Sequence, residues 1–420
     1  MNEANETLYY RRQFGELLGE ALRTGSVVYL SGPRKAGKTA LVREVCQGNY
    51  VSFNSPLLLA PALDDPETYY RSLRENELNI VDEAHFIAEL FRYAENGLKN
   101  NYDNPGQNPG KRCLFIGPVG FRVLFGQMAA PERRIRELVL LPFSVAERRR
   151  TAAIFLRRLM IGKLAPRTFN TGRIADEIEG ATFPELALNP EIDREQWFDG
   201  LLSTILQRDI QTAIGIRNPE RIVPLLISLS TRVGSLLNDA SVMKEIGLDA
   251  KTYAKYKAAA LYTFLTFEIE PWSGPIRIKK RLVRQSKIYF TDSNLLCYIM
   301  RRGLREVLAG DPVTARRLFE NFIATEIVKQ ASGVKGMRIR HFSLSGGKEV
   351  AFMIEAENGA SVGIDVSFKS VLSDRDFSNL QVMRTALGKN FNRGLIIYPG
   401  NEQIEFPDGL WAIPVNALWE

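Results

Sequence analysis

The octapeptide Gly32-Pro33-Arg34-Lys35-Ala36-Gly37-Lys38-Thr39 stands between an apolar run, Val27-Val28-Tyr29-Leu30, and a helical stretch, Ala40-Leu41-Val42-Arg43-Glu44-Val45. A G-x-x-x-x-G-K-[ST] loop in that setting joins a buried strand to the amino end of a helix, and so demands an α/β domain built round an anion site. The glycines let successive N–H groups curl round phosphate oxygens. The Lys38 ammonium adds charge at the β and γ oxygens, and the Thr39 hydroxyl is offered to Mg²⁺. The helix contributes its amino-terminal dipole. The implied ligand is a nucleoside triphosphate, held by Gly32, Pro33, Arg34, Lys35, Ala36, Gly37, Lys38, Thr39 and Ala40.

Such a site needs an acidic residue at the end of a second buried strand, and Leu78-Asn79-Ile80-Val81-Asp82-Glu83 supplies one. A strand-like Tyr50-Val51-Ser52-Phe53 lies between the two motifs. Asp82, with Thr39, is the expected metal-binding pair, and Glu83 is placed to polarise an attacking water. The acidic pair therefore points to hydrolysis, with Lys38 and Glu83 as catalytic groups. A further strand, Cys113-Leu114-Phe115-Ile116, ends in Gly117-Pro118. Arg133, Arg134 and Arg136 precede a last strand that runs into Leu141-Pro142-Phe143-Ser144. Arg134 is a candidate for transition-state charge stabilisation, within one subunit or across an interface; a surface basic cluster is the other reading.

With 420 residues, 45% hydrophobic and 25% charged, the chain has room for two or three domains with cores of their own. No run approaches the roughly 18 apolar residues of a membrane span. The start, Met1-Asn2-Glu3-Ala4-Asn5-Glu6, is polar and acidic, unlike a leader peptide, so a cytoplasmic protein with no membrane association is expected. Three scattered cysteines and two histidines argue against disulfide frameworks, zinc sites and histidine triads. The net charge of +7 is unevenly spread: residues 271–340 hold fifteen Lys or Arg against five Asp or Glu. A concentrated basic region suits nucleic-acid phosphates or acidic partners, and equally a solvated face balanced elsewhere; charge alone leaves both open.

The first 150 or so residues alternate strand and helix signals as a doubly wound α/β domain would. Residues 160–195 show little periodicity and read as a long connection. In the mostly helical stretch that follows, Ala240 to Tyr256 has the form of a helix-turn-helix, with Gly247 at the turn and Asp249 capping the second helix. Phe267 to Pro271 and Ile276 to Lys279 read as a hairpin like the wing of a winged helix. Lys251, Lys255 and Lys257 on the second helix, with Lys279, Lys280, Arg281, Arg284 and Lys287 after the hairpin, are the candidate DNA-binding residues. A plain packing or dimerisation unit is the alternative. The last hundred residues return to α/β: an apolar-faced helix over 315–329, then strands near 337–342, 348–355, 361–368 and 394–398.

Taken in order, several motifs resemble a family of prokaryotic AAA-type ATPases that carry a winged-helix segment and a C-terminal domain related to restriction-endonuclease-like folds. They are the loop Gly32 to Thr39, Val81-Asp82-Glu83-Ala84-His85, Arg134 before Leu141 to Glu147, Phe183-Pro184-Glu185, Gln207-Arg208-Asp209, Lys287 to Asp292, Phe319 to Phe322, Glu349 to Phe352 and Ala417-Leu418-Trp419. The resemblance implies an AAA-type P-loop ATPase domain at 1–155 (a parallel sheet flanked by helices), a connecting segment at 156–195, a helical winged-helix domain at 196–305 and a nuclease-like α/β domain at 306–420. It implies ATP and Mg²⁺ as cofactors and a homo-oligomer, in the form of a ring. Relatives have a hydroxyl or amide where this chain has Pro118, Asp where it has Asn54 and Gln where it has His85, which points to slow hydrolysis. Nuclease chemistry needs two carboxylates and a lysine. The family's E-V-D-F and E-V-K stand here as Glu349-Val350-Ala351-Phe352 and Asp365-Val366-Ser367. The tail is thus expected to be catalytically degenerate, its site comprising Glu320, Glu349, Ala351, Asp365, Ser367 and Lys369. ATP-gated DNA binding is the first function implied; a nucleotide-switched protein that binds a protein partner is the second, and an active nuclease the least favoured.

Overall fold

The computed structural model describes residues 14–24, 27–103, 111–121, 135–152, 154–162, 164–169, 172–275, 281–332 and 336–420. Strands β1 (Val27–Ser31), β2 (Asn49–Ser52), β3 (Asn79–Asp82), β4 (Cys113–Ile116) and β5 (Arg136–Val139) form one parallel sheet in the order β2-β3-β4-β1-β5. β1, β3 and β4 are buried along their length, which is why Val27–Leu30, Ile80–Val81 and Cys113–Ile116 read as apolar runs without alternation. The period of two survives in the packing. Val27 and Tyr29 join Val81, Phe91 and Phe115 on one face, while Val28 and Leu30 join Leu18, Leu41, Ile80 and Leu114 on the other. Helices Phe14–Thr24 and Lys38–Val45 cover the second face and Ala88–Asp103 the first. With β1 between β4 and β5, the loop after β1 opens at the carboxyl edge of the sheet beside Asp82 and Gly117.

The expected connection over 156–195 is instead part of the core. β6 (Arg167–Thr168) pairs with a distant strand near the carboxyl terminus, helices Ile174–Gly180 and Pro184–Leu188 follow, and Leu156, Phe169, Ile178 and Phe183 are buried together. Their spacing is too irregular for a helix or strand period to register.

Helix Arg194–Thr204 then runs into a π-helical stretch, Ile205–Ala213. Helices Ile222–Ser230, Asp239–Ile246 and Ala250–Tyr262 come next, followed by β7 (Thr266–Ile269) antiparallel to β8 (Lys287–Phe290). Leu236 adds a bridge to Lys287. Asn238 caps Asp239–Ile246 through the Ser241 N–H, and Asp249 caps Ala250–Tyr262 through the N–H groups of Lys251 and Thr252. Gly247, at φ 65°, makes the turn between them. The hairpin differs from expectation: its arms are β7 and β8, and Ile276–Lys279 lies outside the described residues. The described residues between the arms are tied to the C-terminal sheet by backbone hydrogen bonds. Trp272 donates its N–H to the His341 carbonyl at 2.8 Å, Val283 to Ser343 at 3.0 Å, and Ser345 to Arg281 at 2.8 Å.

The C-terminal part comprises helix Pro312–Ser332, a meander of β9 (Arg338–Leu344), β10 (Lys348–Glu355) and β11 (Ser361–Val366), helix Ser378–Leu387, and β12 (Phe391–Tyr398), β13 (Glu402–Phe406) and β14 (Leu410–Pro414). These give a mixed sheet in the order β6-β13-β14-β12-β11-β10-β9, with β12 parallel to both β11 and β14. The four strands expected from the sequence fall on β9 to β12. Helix Pro312–Ser332 is buried from Leu318 to Ile327 on all sides, so its polar residues find internal partners. Glu326 accepts the Val145 N–H at 3.0 Å, and Lys329 donates to the Phe143 carbonyl at 2.9 Å, fastening the exit of the first sheet. One apolar cluster runs from Val145 to Trp419, so the expected boundary between residues 305 and 306 does not separate two cores.

Candidate nucleotide site

Each residue of the loop after β1 has a legible task. A Cβ on Gly32, whose φ is 142°, would lie 2.1 Å from the Leu140 carbonyl oxygen, so only glycine fits. Gly37, at φ 91°, caps the helix Lys38–Val45. The Lys38 side chain is buried, and its Nζ donates to the carbonyls of Gly32 at 2.7 Å and Pro33 at 2.8 Å. Burial lowers its pKa to about 8; Glu83 opposes that shift and Arg34 adds to it. An ammonium held only by two loop carbonyls is poised to exchange them for phosphate oxygens.

The carboxylate of Asp82, at the end of β3, accepts hydroxyl hydrogen bonds from Thr39 and Tyr50, both at 2.7 Å. A hydroxyl and a carboxylate side by side on the pocket wall suit a Mg²⁺ ion whose other positions are filled by phosphate and water. Among the described residues no group of three or more His, Cys, Asp or Glu could hold a metal ion. The paired hydroxyl and carboxylate of Thr39 and Asp82 are compatible with the metal role expected from the sequence.

Glu83 has a left-handed backbone, φ 58°, a strained conformation for a residue with a side chain. Burial pushes its pKa up, against the pull of Arg34. Arg34 reaches Glu83 at 3.3 and 3.5 Å through Nη1 and Nη2, and makes a shorter two-pronged pair with Asp209, at 2.6 Å from Nε and 2.5 Å from Nη2. Asp209 is almost wholly buried in the π-helical stretch. His85 is wedged behind, 3.4 Å from Glu83 and 3.9 Å from Asp209, with neither ring nitrogen hydrogen-bonded. Burial holds it neutral, far below its usual pKa.

The loop lines a cavity of about 660 Å³. Gly117 and Pro118 contribute to its floor, whereas Pro184, Glu185, Trp197 and Leu201 of the middle part supply a wall. Lys35 pairs with Glu185 at 3.0 Å, and Arg208 donates to Asn54 at 2.7 Å while lying over the Phe86 ring. Sequence reasoning missed this wall. The Gln207-Arg208-Asp209 and Phe183-Pro184-Glu185 motifs were visible, but nothing local indicates that they face the loop.

The other site residues divide. Arg134, Lys279 and Lys280 lie outside the described residues. Lys251, Lys255, Arg281 and Arg284 are exposed. Two DNA candidates are corrected. Lys257 is taken up by Asp239 at 3.1 Å and Glu268 at 2.7 Å. Lys287 is buried on β8, with Nζ 2.6 Å from Glu349 and 3.6 Å from Glu320. The Tyr289 hydroxyl donates to Glu320 at 2.9 Å. Asp365 belongs to the same cluster: burial pushes its pKa up to about 6, against the attraction of Lys287. Of the expected degenerate site, then, Glu320, Glu349 and Asp365 gather round an ammonium. Ala351 is buried in the apolar core, the Ser367 hydroxyl accepts the Lys369 N–H at 3.3 Å, and Lys369 turns outward to Asp376 at 2.6 Å.

A parallel sheet in this order, a glycine-bounded phosphate loop and an acidic strand end are the features of a P-loop nucleotide-binding domain. Residues 24–148 match the family model of an AAA domain (AAA_14), 175–306 a domain of unknown function (DUF8612) and 316–418 another (DUF4143). The chain is 25% identical, over 98% of its own length and 85% of theirs, to the uncharacterized proteins Rv2008c of Mycobacterium tuberculosis and Mb2031c of Mycobacterium bovis. Among solved structures it is similar to the Walker-type ATPase paby2304 of Pyrococcus abyssi, with a TM-score of 0.40 and 12% identity over 72% of this chain and 98% of that one. A Thermotoga maritima RuvB mutant gives a TM-score of 0.28 and 18% identity over 61% and 89%. Among the described residues no helix is long and apolar enough to cross a membrane.

Proposed function

We propose that the protein binds and hydrolyses ATP with Mg²⁺ and uses the nucleotide state to set its grip on DNA. The observation that carries the coupling is the trio of links from the nucleotide site to the middle part: Arg34 with Asp209, Lys35 with Glu185, and Asn54 with Arg208. Bound Mg²⁺ would neutralise charge on the phosphates, held through Thr39 and Asp82. Lys38 binds the phosphates, and Glu83 orients the attacking water. Arg134 stands in this reading as the charge supplied late in the reaction, from the same subunit or from a neighbour in a ring-shaped homo-oligomer.

Three helices followed by an antiparallel pair, with Leu236 bridging β8, support a winged-helix reading of the middle part. Lys251 and Lys255, one helical turn apart, with Arg281 and Arg284, are its basic contacts for a duplex. The helix, meander, helix and parallel strand of the C-terminal part support a nuclease-like fold, with Lys287 standing where a metal ion would be needed. It therefore grips without cutting. Helix Pro56–Asp64 favours the second reading, a nucleotide switch for a protein partner, because Leu57 and Leu63 are 85% and 51% exposed on it.

The test is the ATPase rate with duplex, single-stranded and four-way-junction DNA at two salt concentrations. Stimulation at low salt that fades at high salt is expected. Absence of binding to all three DNAs at low salt leaves the protein-partner switch.

A further inference from the structure

Arg34 and Asp209 are the best-aligned charged pair at the site, yet nucleotide hydrolysis as described above uses neither. The Asp209 carboxylate occupies the Nε and Nη2 side of the guanidinium at 2.6 and 2.5 Å. Glu83 has only the longer contacts, 3.3 and 3.5 Å, at the Nη1 and Nη2 end. Arg34 and Glu83 line the cavity; Asp209 does not. Apart from the neutral His85, Arg34 is the one cationic group within ion-pair distance of Asp209 among the described residues.

These contacts differ in what it costs to break them. Removing Arg34 would leave Asp209 as a buried, uncompensated carboxylate, whereas Glu83 borders the cavity and can be hydrated once a ligand rearranges the site. A polyanion entering beside Lys38 therefore competes for the Nη1 end and leaves the Nε side in place. We propose that Arg34 is a cation that senses the γ-phosphate from within the same chain, and that Asp209 is the positioning residue about which it pivots. Without a triphosphate, the Nη1 end of Arg34 holds Glu83. The γ-phosphate draws that end away, and Glu83 is then free to orient the attacking water. A diphosphate does not reach it, so Glu83 stays held. The strained backbone of Glu83 and the partnerless imidazole of His85 behind it fit a carboxylate with two arrangements.

This inference rests on the ATPase reading and has a test of its own. In the full-length protein with Mg²⁺, the affinities for ADP and for a non-hydrolysable ATP analogue are measured for wild type, Lys38→Ala, Asp209→Asn and Arg34→Lys, together with kcat and KM for ATP. Asp209→Asn is expected to keep ADP affinity within about twofold while the preference for the triphosphate falls about tenfold to a hundredfold, the worth of a charge-assisted hydrogen bond. The value of kcat should fall with it, more than KM rises. Arg34→Lys keeps the charge without the two-pronged geometry and should lose triphosphate affinity by a larger factor than ADP affinity, which carries the test if Asp209→Asn does not fold. An unchanged triphosphate preference in both variants overturns the inference. Parallel loss of ADP and triphosphate affinity also overturns it, since the pair would then be structural only. Wild type that binds neither nucleotide, or Lys38→Ala that binds both as well as wild type, removes the ATPase reading itself.

Discussion

Nζ of Lys287 lies 2.6 Å from Oε1 of Glu349, joining the paired strand of the middle part to the C-terminal meander inside a buried cluster. Glu320 at 3.6 Å and the nearby Asp365 share the same ammonium. Lys287→Met should cost about 3 to 5 kcal/mol of stability, because the carboxylates left behind lose their counter-charge. Chemical denaturation read by intrinsic fluorescence checks this. Glu349→Gln should cost less, since Lys287 keeps Glu320.

Lys38 gives a pH signature. Its pKa, lowered to about 8 by burial, lies below that of a free lysine, so raising the pH through 8 discharges it in the nucleotide-free protein. Only the charged form binds phosphate well. Triphosphate affinity should hold from pH 6 to 7.5, then fall by up to about tenfold per unit above 8. Titration with a fluorescent nucleotide from pH 6 to 9.5 reads the effect, and Lys38→Ala should be weak and flat throughout.

Replacing Glu83 with Gln preserves shape and removes the base. Turnover is expected to fall by about 10² to 10⁴ while bound ATP is retained. Rapid filtration of labelled nucleotide separates the two: full turnover in Glu83→Gln would mean that another group orients the water.

On the middle part, Lys251 and Lys255 are exposed whereas Lys257 is consumed by Asp239 and Glu268. Lys251→Ala combined with Lys255→Ala should weaken duplex binding and reduce the slope of log affinity against log salt by about 2. Lys257→Ala should leave that slope alone and lower thermal stability instead.

The nucleotide site was legible because its chemistry is contiguous: eight residues carry the loop, and a buried strand ends in the acidic pair. The caps at Asn238 and Asp249 and the turn at Gly247 are equally local, and Asp249 and Gly247 stand where the sequence places them. What escaped depends on the distance between residues in the chain. Asp209 reaches Arg34 across 175 positions, and no local pattern separates a buried acid that holds a loop arginine from one on a helix surface. Lys287 reads as one more charge in a basic stretch until β8 is seen beneath Glu349. Phe169, Ile178 and Phe183 lie in a segment without period, and what buries them comes from outside it: β13 pairs with the strand just before Phe169, Asn294 binds the Ile178 carbonyl, and Trp197 and Phe198 pack on Phe183.

The hydrogen bonds that tie Trp272, Arg281 and Val283 to His341, Ser345 and Ser343, together with the apolar cluster that runs from Val145 to Trp419, have a practical consequence for anyone dissecting the molecule. A truncation at residue 305 would strip the backbone partners from this segment and bare the surface that Leu318, Phe322 and Trp419 now fill, so the shortened product should aggregate. The two rear parts share one core, so neither can be removed without exposing the other.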